Sequence, residues 1–273
     1  MAEPLLTQKV HDALLRAARS GVATVECSLD LDRTRVLVHV DADGWAVGER
    51  RYPYLKRCKD RTIYYWTGDE FAPAARFTTS LIKLVPTEWG APTFEIDGIK
   101  MLPTAHGSPY ADAEAKVRLI EPRGKRILDT CGGLGYFAAW CMQGGAKHVS
   151  SFEKSEDVLW LRSLNPWSPR DAPELSLAHA DVTSEIAKLP PDSVDAALHA
   201  PPRFGIAGEL DSQVFYNALA KVLRRGAPLF HYTGAPNKLS SGRDLASEVE
   251  QRLRIAGFST RIVGDGVLAH KKN

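Results

Sequence analysis

Cysteine is scarce in this chain of 273 residues, and its four residues, Cys27, Cys58, Cys131 and Cys141, stand far apart. They form no CxxC pair and have no histidine at ligand spacing, which argues against a zinc site and against a disulfide framework. No metal is expected, and a reducing cytoplasm is the expected setting. Long apolar runs are also missing: none approaches the roughly 18 residues of a membrane span. The start, Met1-Ala-Glu-Pro-Leu-Leu-Thr-Gln-Lys9, lacks the basic residues, apolar core and small-residue cleavage site of a secretion signal. Neither export nor membrane contact is expected. Excess charge of one sign is absent too, since 35 Lys+Arg stand against 33 Asp+Glu and the net charge is +2. The whole-molecule field therefore demands no polyanionic partner, although a local patch still allows one. No internal repeat or low-complexity segment interrupts the chain.

What is present describes a globular protein: 44% of the residues are hydrophobic and 25% charged. The length suits one α/β domain of about 150 to 200 residues plus a smaller appendage. Leu5, Leu6, Val10, Leu14 and Leu15 recur at helical spacing, predicting an amphipathic helix that ends near Ser20-Gly21. The stretches Val22–Leu29, Arg35–Val40, Thr62–Trp66, Leu81–Val85 and Thr93–Ile96 read as short strands between turn signals such as Asp43-Gly44 and Asp97-Gly98. Residues 1–102 are thus predicted to form a small N-terminal α+β domain that recognises substrate or partner. The Pro- and Gly-containing segment Leu102–Tyr110 marks the junction to a second domain, 103–273. There, short apolar runs at Arg126–Asp129, Val149–Phe152, Leu175–Ala180, Val194–His199 and Pro228–Tyr232 alternate with helical ones, predicting βαβ crossovers and a parallel sheet. Ser259–Val263 and Val267–His270 flank Gly264-Asp265-Gly266, a hairpin that closes the sheet with an antiparallel last strand.

In open parallel sheets the ligand lies beyond the carboxyl ends of the strands. Four such ends carry suggestive residues. Asp129 leads into Cys131-Gly132-Gly133-Leu134-Gly135 and a helix beginning at Tyr136, where bare backbone at a helix N-terminus receives a ligand or simply makes a tight turn. Glu153, about 20 residues beyond the glycines, suits the two hydroxyls of a ribose, or is a surface acid. Asp181 accepts from an adenine amino group or caps the following helix. His199 runs into Ala200-Pro201-Pro202-Arg203-Phe204, a stiff turn beside the expected ligand, where two prolines fix φ.

Read together, these ends resemble the class I S-adenosylmethionine-dependent methyltransferases over residues 111–273. The resemblance implies a Rossmann-like α/β sheet, mostly parallel with an antiparallel last strand, and S-adenosyl-L-methionine as cofactor. By position, Asp129, Cys131, Gly132, Gly133, Gly135 and Tyr136 match the segment holding the methionine part. Glu153 with Lys154 matches the ribose site, and Asp181 with Val182 the adenine edge, while His199 stands beside the bound ligand. Dinucleotide dehydrogenases normally lack an acid just before their glycines, so Asp129 favours the methyltransferases. More closely, the chain resembles a poorly characterised archaeal and bacterial methyltransferase-like group through Leu-Asp129-Thr-Cys-x-Gly-Leu-Gly-Tyr136, Leu164-Asn-Pro-Trp167-Ser, Pro-Pro-Arg203-Phe204 and Phe230-His231-Tyr-Thr-Gly234. The run Gly208–Tyr216 is similar to the polyamine aminopropyltransferases, but those enzymes need carboxylates after the fourth strand, where His199–Arg203 offers none.

Three positions depart from the family pattern. Cys131 replaces a first glycine, Ala200 replaces the Asp or Asn of amino-group methyltransferases, and Arg203 replaces their aromatic residue. The expected reaction is methyl transfer to an unidentified acceptor, a small molecule or peptide in preference to nucleic acid. His199 is the candidate base, against a buried structural histidine. Arg203 is the candidate clamp for a carboxylate or phosphate, against a partner for Glu209 or Asp211. His231 and Tyr232 line the cleft or pack under it, and Tyr110 and Trp167 are read as core in preference to cofactor stacking. RNA is the rival substrate, because Arg50, Arg51, Lys56, Arg57, Lys59 and Arg61 lie among Tyr52, Tyr54, Tyr64, Tyr65 and Trp66. The neighbouring acids Glu49, Asp60, Asp69 and Glu70 dilute that patch. Ala200 motivates a further alternative, a catalytically silent cofactor-binding module. A homodimer is admitted by the sequence.

Overall fold

The computed structural model describes residues 3–105, 107–202, 208–234 and 244–272. Contacts divide the chain into a first unit, Met1–Ala111 with Trp160–Trp167, and a second, Asp112–Leu159 with Ser168–Asn273.

In the first unit the opening helix, α1, runs over Gln8–Arg19, with Thr7 as its N-cap accepting from the Val10 N–H. The helical pattern was expected to include Leu5 and Leu6. These two residues instead form strand β1, paired antiparallel with β6, Tyr64–Trp66. The cap at Thr7 explains the difference, since a capping residue adopts extended backbone and the residues before it are released from the helix. Strands β2 (Thr24–Cys27), β3 (Val36–Val40), β4 (Trp45–Val47) and β5 (Arg50–Tyr52) form an antiparallel meander. Phe71–Pro73 (β7) completes the small sheet with β1 and β6. A third sheet joins β8 (Ala75–Phe77), β9 (Leu81–Val85), β10 (Thr93–Ile96) and β11 (Ile99–Lys100). Leu6, Leu14, Val38, Trp45, Tyr52, Tyr64 and Phe71 share one apolar cluster. At its centre Trp45 stacks on Tyr52 with ring centroids 4.6 Å apart.

The second unit carries a seven-stranded, mostly parallel Rossmann-like α/β sheet. Its strands are β12 (Arg126–Asp129), β13 (His148–Glu153), β14 (Leu175–His179), β15 (Ala196–His199), β16 (Pro228–Tyr232), β17 (Phe258–Val263) and β18 (Gly266–Lys271). They lie in the order β14-β13-β12-β15-β16-β18-β17. The first five are parallel and β18 is antiparallel to both neighbours. The last strand was expected to close the sheet; it inserts between β16 and β17, so β17 is the edge. The period of two along the strands sorts the core into two layers. Leu128, Ala197 and Leu229 join a cluster with Phe215, Leu219, Val249 and Leu253, supplied by helices α5 (Gln213–Val222) and α6 (Leu245–Ile255). Ile127, Ala196, Leu198 and Phe230 join Val117, Ala138 and Cys141 from α2 (Pro109–Arg118) and α3 (Tyr136–Gln143). Apolar layers on both faces are what a parallel sheet requires, and they direct the polar strand ends to one edge.

Candidate active site at the strand ends

Asp129 ends β12 and is 1% exposed. The Ser151 hydroxyl, on the adjacent strand, donates to its Oδ2 at 2.8 Å. Beyond it the chain turns sharply: Gly133 and Gly135 both take left-handed backbone, with φ of 49° and 81°. A side chain there would be strained, so glycine is needed at both positions. Three bonds fix the turn. The Gly132 N–H donates to the Phe152 carbonyl at 2.7 Å and the Gly135 N–H to the Gly132 carbonyl at 2.7 Å. The Gly133 N–H donates to Glu153 Oε2 at 2.8 Å. The other Glu153 oxygen accepts the Ser155 N–H at 2.8 Å. Glycine loop and strand-end acid, 20 residues apart in sequence, are thus one hydrogen-bonded unit. Helix α3 begins directly after Gly135, with Tyr136 buried. Burial, more than any neighbouring charge, pushes the Cys131 thiol well above its ordinary value.

At the next strand end Asp181 caps helix α4 (Val182–Glu185), accepting the Thr183 N–H at 2.9 Å. Lys154 Nζ lies 2.8 Å from Asp181 Oδ2 and 3.9 Å from Glu209. Burial works to raise the Asp181 carboxyl, but the bonds from Lys154 and Thr183 outweigh it and hold the group below the ordinary carboxylate range. Val182 is buried in the core. Capping and the ion pair account for Asp181 in the structure as described; each of its oxygens can still accept more than one bond.

His199, at the end of β15, has no exposed surface. Its Nδ1 lies 2.6 Å from the Thr130 hydroxyl and its Nε2 3.0 Å from the Leu210 carbonyl. A carbonyl only accepts, so Nε2 carries the hydrogen and Nδ1 accepts from Thr130. Both ring nitrogens are therefore engaged. Burial first, and the neighbouring His231 second, drive the His199 pKa well below its ordinary value, so the ring is neutral. His231 stands across from it on β16, with ring centroids 4.4 Å apart. The Tyr216 hydroxyl is 2.9 Å from His231 Nε2 and 3.2 Å from Asp211 Oδ1, and His231 Nδ1 donates to the Tyr232 carbonyl at 3.1 Å. Ligand atoms of His199, Asp211 and His231 fall within 4.8 Å of one another. A metal there would have to displace the existing hydrogen bonds, because the ring nitrogens already hold Thr130, Leu210, Tyr216 and Tyr232.

Arg203 and Phe204 lie outside the described residues. The remaining predicted residues separate into two groups. Asp129, Cys131, Gly132, Gly133, Gly135, Glu153, Lys154 and Asp181 come together at consecutive strand ends. Tyr110 and Trp167 instead pack edge to face at 5.1 Å in the first unit, where the indole N–H donates to the Leu31 carbonyl at 2.9 Å. Sequence reasoning passed over Thr130, Ser151 and Tyr216 as site residues. Ser151 was hidden inside a strand and Thr130 between two conspicuous neighbours; the Phe215-Tyr216 pair was read only as a resemblance.

No family model matches the chain. Over 263 residues it is 38% identical to the uncharacterized protein MJ1233 of Methanocaldococcus jannaschii, an alignment covering 93% of this chain and 89% of that protein. Among solved structures it is similar to a spermidine synthase in complex with the transition-state analogue AdoDATO, with a TM-score of 0.58, 16% identity and 72% of each chain covered. It is also similar to spermidine synthase from Thermotoga maritima, with a TM-score of 0.57, 17% identity and 72% of this chain and 71% of that one covered. At such identities the likeness to solved structures is one of fold.

Proposed function

This chain belongs to the same family as the uncharacterized Methanocaldococcus jannaschii protein, and we propose that its second unit binds S-adenosylmethionine and transfers the methyl group to a small-molecule or peptide acceptor. One observation carries the reading: the 2.8 Å bond from the Gly133 N–H to Glu153 joins the glycine turn to the acid of the next strand. The donor set fits the cofactor. Asp129, Cys131, Gly132, Gly133, Gly135 and Tyr136 would hold the methionine part, Glu153 and Lys154 the ribose, and Asp181 and Val182 the adenine. Bound there, S-adenosylmethionine supplies a methyl group on a sulfonium centre, whose departure requires no acid. The protein's contribution is alignment and exclusion of water. His199 takes a positioning role: its neutral ring ties Thr130, at the entrance of the glycine turn, to Leu210 beyond the Pro201-Pro202 turn. Arg203 is assigned to clamping an anionic group of the acceptor.

A small acceptor is favoured over RNA because three of the six cations in the basic stretch of the first unit are paired with acids. Arg50 pairs with Glu3, Arg51 with Asp41 at 2.6 Å, and Arg61 with the buried Glu95. Tyr52 and Tyr64 are buried in the core and offer no face to a base.

Glu209 supports a second reading, transfer of an aminopropyl group to a cationic amine. This exposed carboxylate follows β15, beyond the His199–Arg203 turn, and reaches Lys154 at the strand ends. Calorimetry decides between the readings. Binding of S-adenosylhomocysteine without NAD binding, followed by transfer of labelled methyl to a component of a cell extract, supports methyl transfer. Preferential binding of decarboxylated S-adenosylmethionine would favour the second reading. Saturation with cofactor but no labelled acceptor would favour a silent module, and binding of NAD would overturn all three.

A further inference from the structure

The motif Asn165-Pro166-Trp167-Ser168 supplies none of the strand-end residues, yet its last residue touches the glycine turn. The Ser168 hydroxyl donates to the Leu134 carbonyl at 2.8 Å. Leu134 lies between Gly133 and Gly135, the two residues with left-handed backbone. The N–H of the Leu134–Gly135 peptide is held by the Gly132 carbonyl, and the bond from Ser168 holds the carbonyl of the same peptide. The Trp167 N–H donates to Asn165 Oδ1 at 3.1 Å, an Asx turn, and the Pro166 ring fixes φ inside it. Ser168 is half-buried.

We propose that Ser168 is a positioning residue for the cofactor site: its hydrogen bond to the Leu134 carbonyl holds the Gly133–Gly135 turn in the ligand-ready conformation. This rests on the reading of that turn as the site for the methionine part of S-adenosylmethionine. The chemistry is restraint. A glycine-rich turn gains backbone freedom whenever an external bond is lost, and that freedom must be removed again on binding. The bond also orients the Leu134–Gly135 peptide, which leads into the N-terminus of helix α3 where backbone N–H groups favour a carboxylate.

The test uses the full chain and S-adenosylhomocysteine as probe, with wild type, Ser168→Ala and Ser168→Thr compared by calorimetry and by hydrogen exchange of the unliganded protein. Ser168→Ala is expected to weaken binding about fivefold, the ratio carried by one neutral hydrogen bond. It is expected to raise exchange over residues 132–137 without lowering the melting temperature by more than about 4 °C, the most that one neutral hydrogen bond contributes in a unit of this size. Ser168→Thr, which keeps the hydroxyl, is expected to restore both. Wild-type binding with Ser168→Ala equal to it would overturn the proposal alone. So would a loss in both variants accompanied by a general fall in melting temperature, which marks a purely structural residue. Absence of binding by the wild type would overturn the cofactor reading itself.

Discussion

Replacing Glu153 by glutamine tests the site most directly, because one side chain there is given two duties. Each of its oxygens accepts a backbone N–H at 2.8 Å, from Gly133 and from Ser155. A glutamine keeps one acceptor oxygen and presents an NH2 group in place of the other. Whichever way the amide turns, one backbone N–H then meets a donor. A hydrogen bond to a charged acceptor contributes about 1.5–3 kcal/mol, and the half-buried position argues for the lower part of that range, about 1.5–2 kcal/mol. For a unit of this size that corresponds to a fall in melting temperature of roughly 3–8 °C. Ligand binding should suffer separately. If the carboxylate also receives the ribose hydroxyls, Glu153→Gln removes one charge-assisted bond and weakens the other, about 2–3 kcal/mol or roughly 30- to 150-fold in affinity for S-adenosylhomocysteine. Calorimetry on Glu153→Gln and Glu153→Ala, at a temperature well below both melting points, separates the two effects. An affinity within threefold of wild type, with the melting temperature lowered as calculated, would refute the ribose role and leave Glu153 a structural clasp on the glycine turn.

Three further outcomes follow, the first two from buried groups. Because the His199 pKa is lowered on folding, chiefly by burial, the unfolded chain binds more protons than the folded one below about pH 6.5, the ordinary histidine value. Stability should therefore fall as the pH drops from 6.5 to 5, by at most about 1.4 kcal/mol per unit for this residue; melting curves of His199→Gln should show a flatter slope, and an unchanged slope would count against a neutral buried His199. His11 shifts in the same direction, also through burial, and adds to the wild-type slope. Trp45→Ala should destabilise the first unit by about 3–5 kcal/mol, since the indole is fully buried and stacked on Tyr52, and denaturant unfolding would show it. Finally, titration of a single-stranded RNA oligonucleotide between 50 and 200 mM salt should reveal no binding tighter than about 100 μM; a steep loss of measurable affinity across that range would restore RNA as the partner.

Much of the second unit was legible because its signals are local and repeated. Each parallel strand is a short β-rich apolar run, and each chemically suggestive residue directly follows one, so Asp129, Glu153, Asp181 and His199 could be placed at one sheet edge from the sequence. Strand order within the hairpin was not legible, because Val267–His270 reads the same as an edge or as an insertion; pairing energy decides, and β18 gains a partner on both sides. The first unit was read less completely. Strands of two or three residues such as β4, β5, β7 and β11 are too short for a period to appear. At the start of the chain, Leu5 and Leu6 fit the helical pattern yet bury themselves through a strand, a case of tertiary packing overriding local periodicity.

The chemistry of His199 was hidden for a different reason. A histidine at a strand end is written the same way whether its nitrogens face a substrate or are held by neighbours, and the neighbours here are distant in sequence. Thr130 lies 69 residues away and Leu210 11 residues away. Their convergence places a polar layer, Thr130, His199, His231, Tyr216 and Asp211, under the glycine turn and against the apolar cluster of Phe215 and Leu219. Such a layer is tolerated only when its members satisfy one another, since an unpartnered buried polar group costs about 1–3 kcal/mol. Within it the Tyr216 hydroxyl is shared by His231 and Asp211, and His199 holds Thr130 and Leu210 in one register. Alignment is what transfer from a sulfonium asks of a protein. On the proposed reading, a neutral histidine that fixes two backbone segments serves that purpose better than one free to exchange protons.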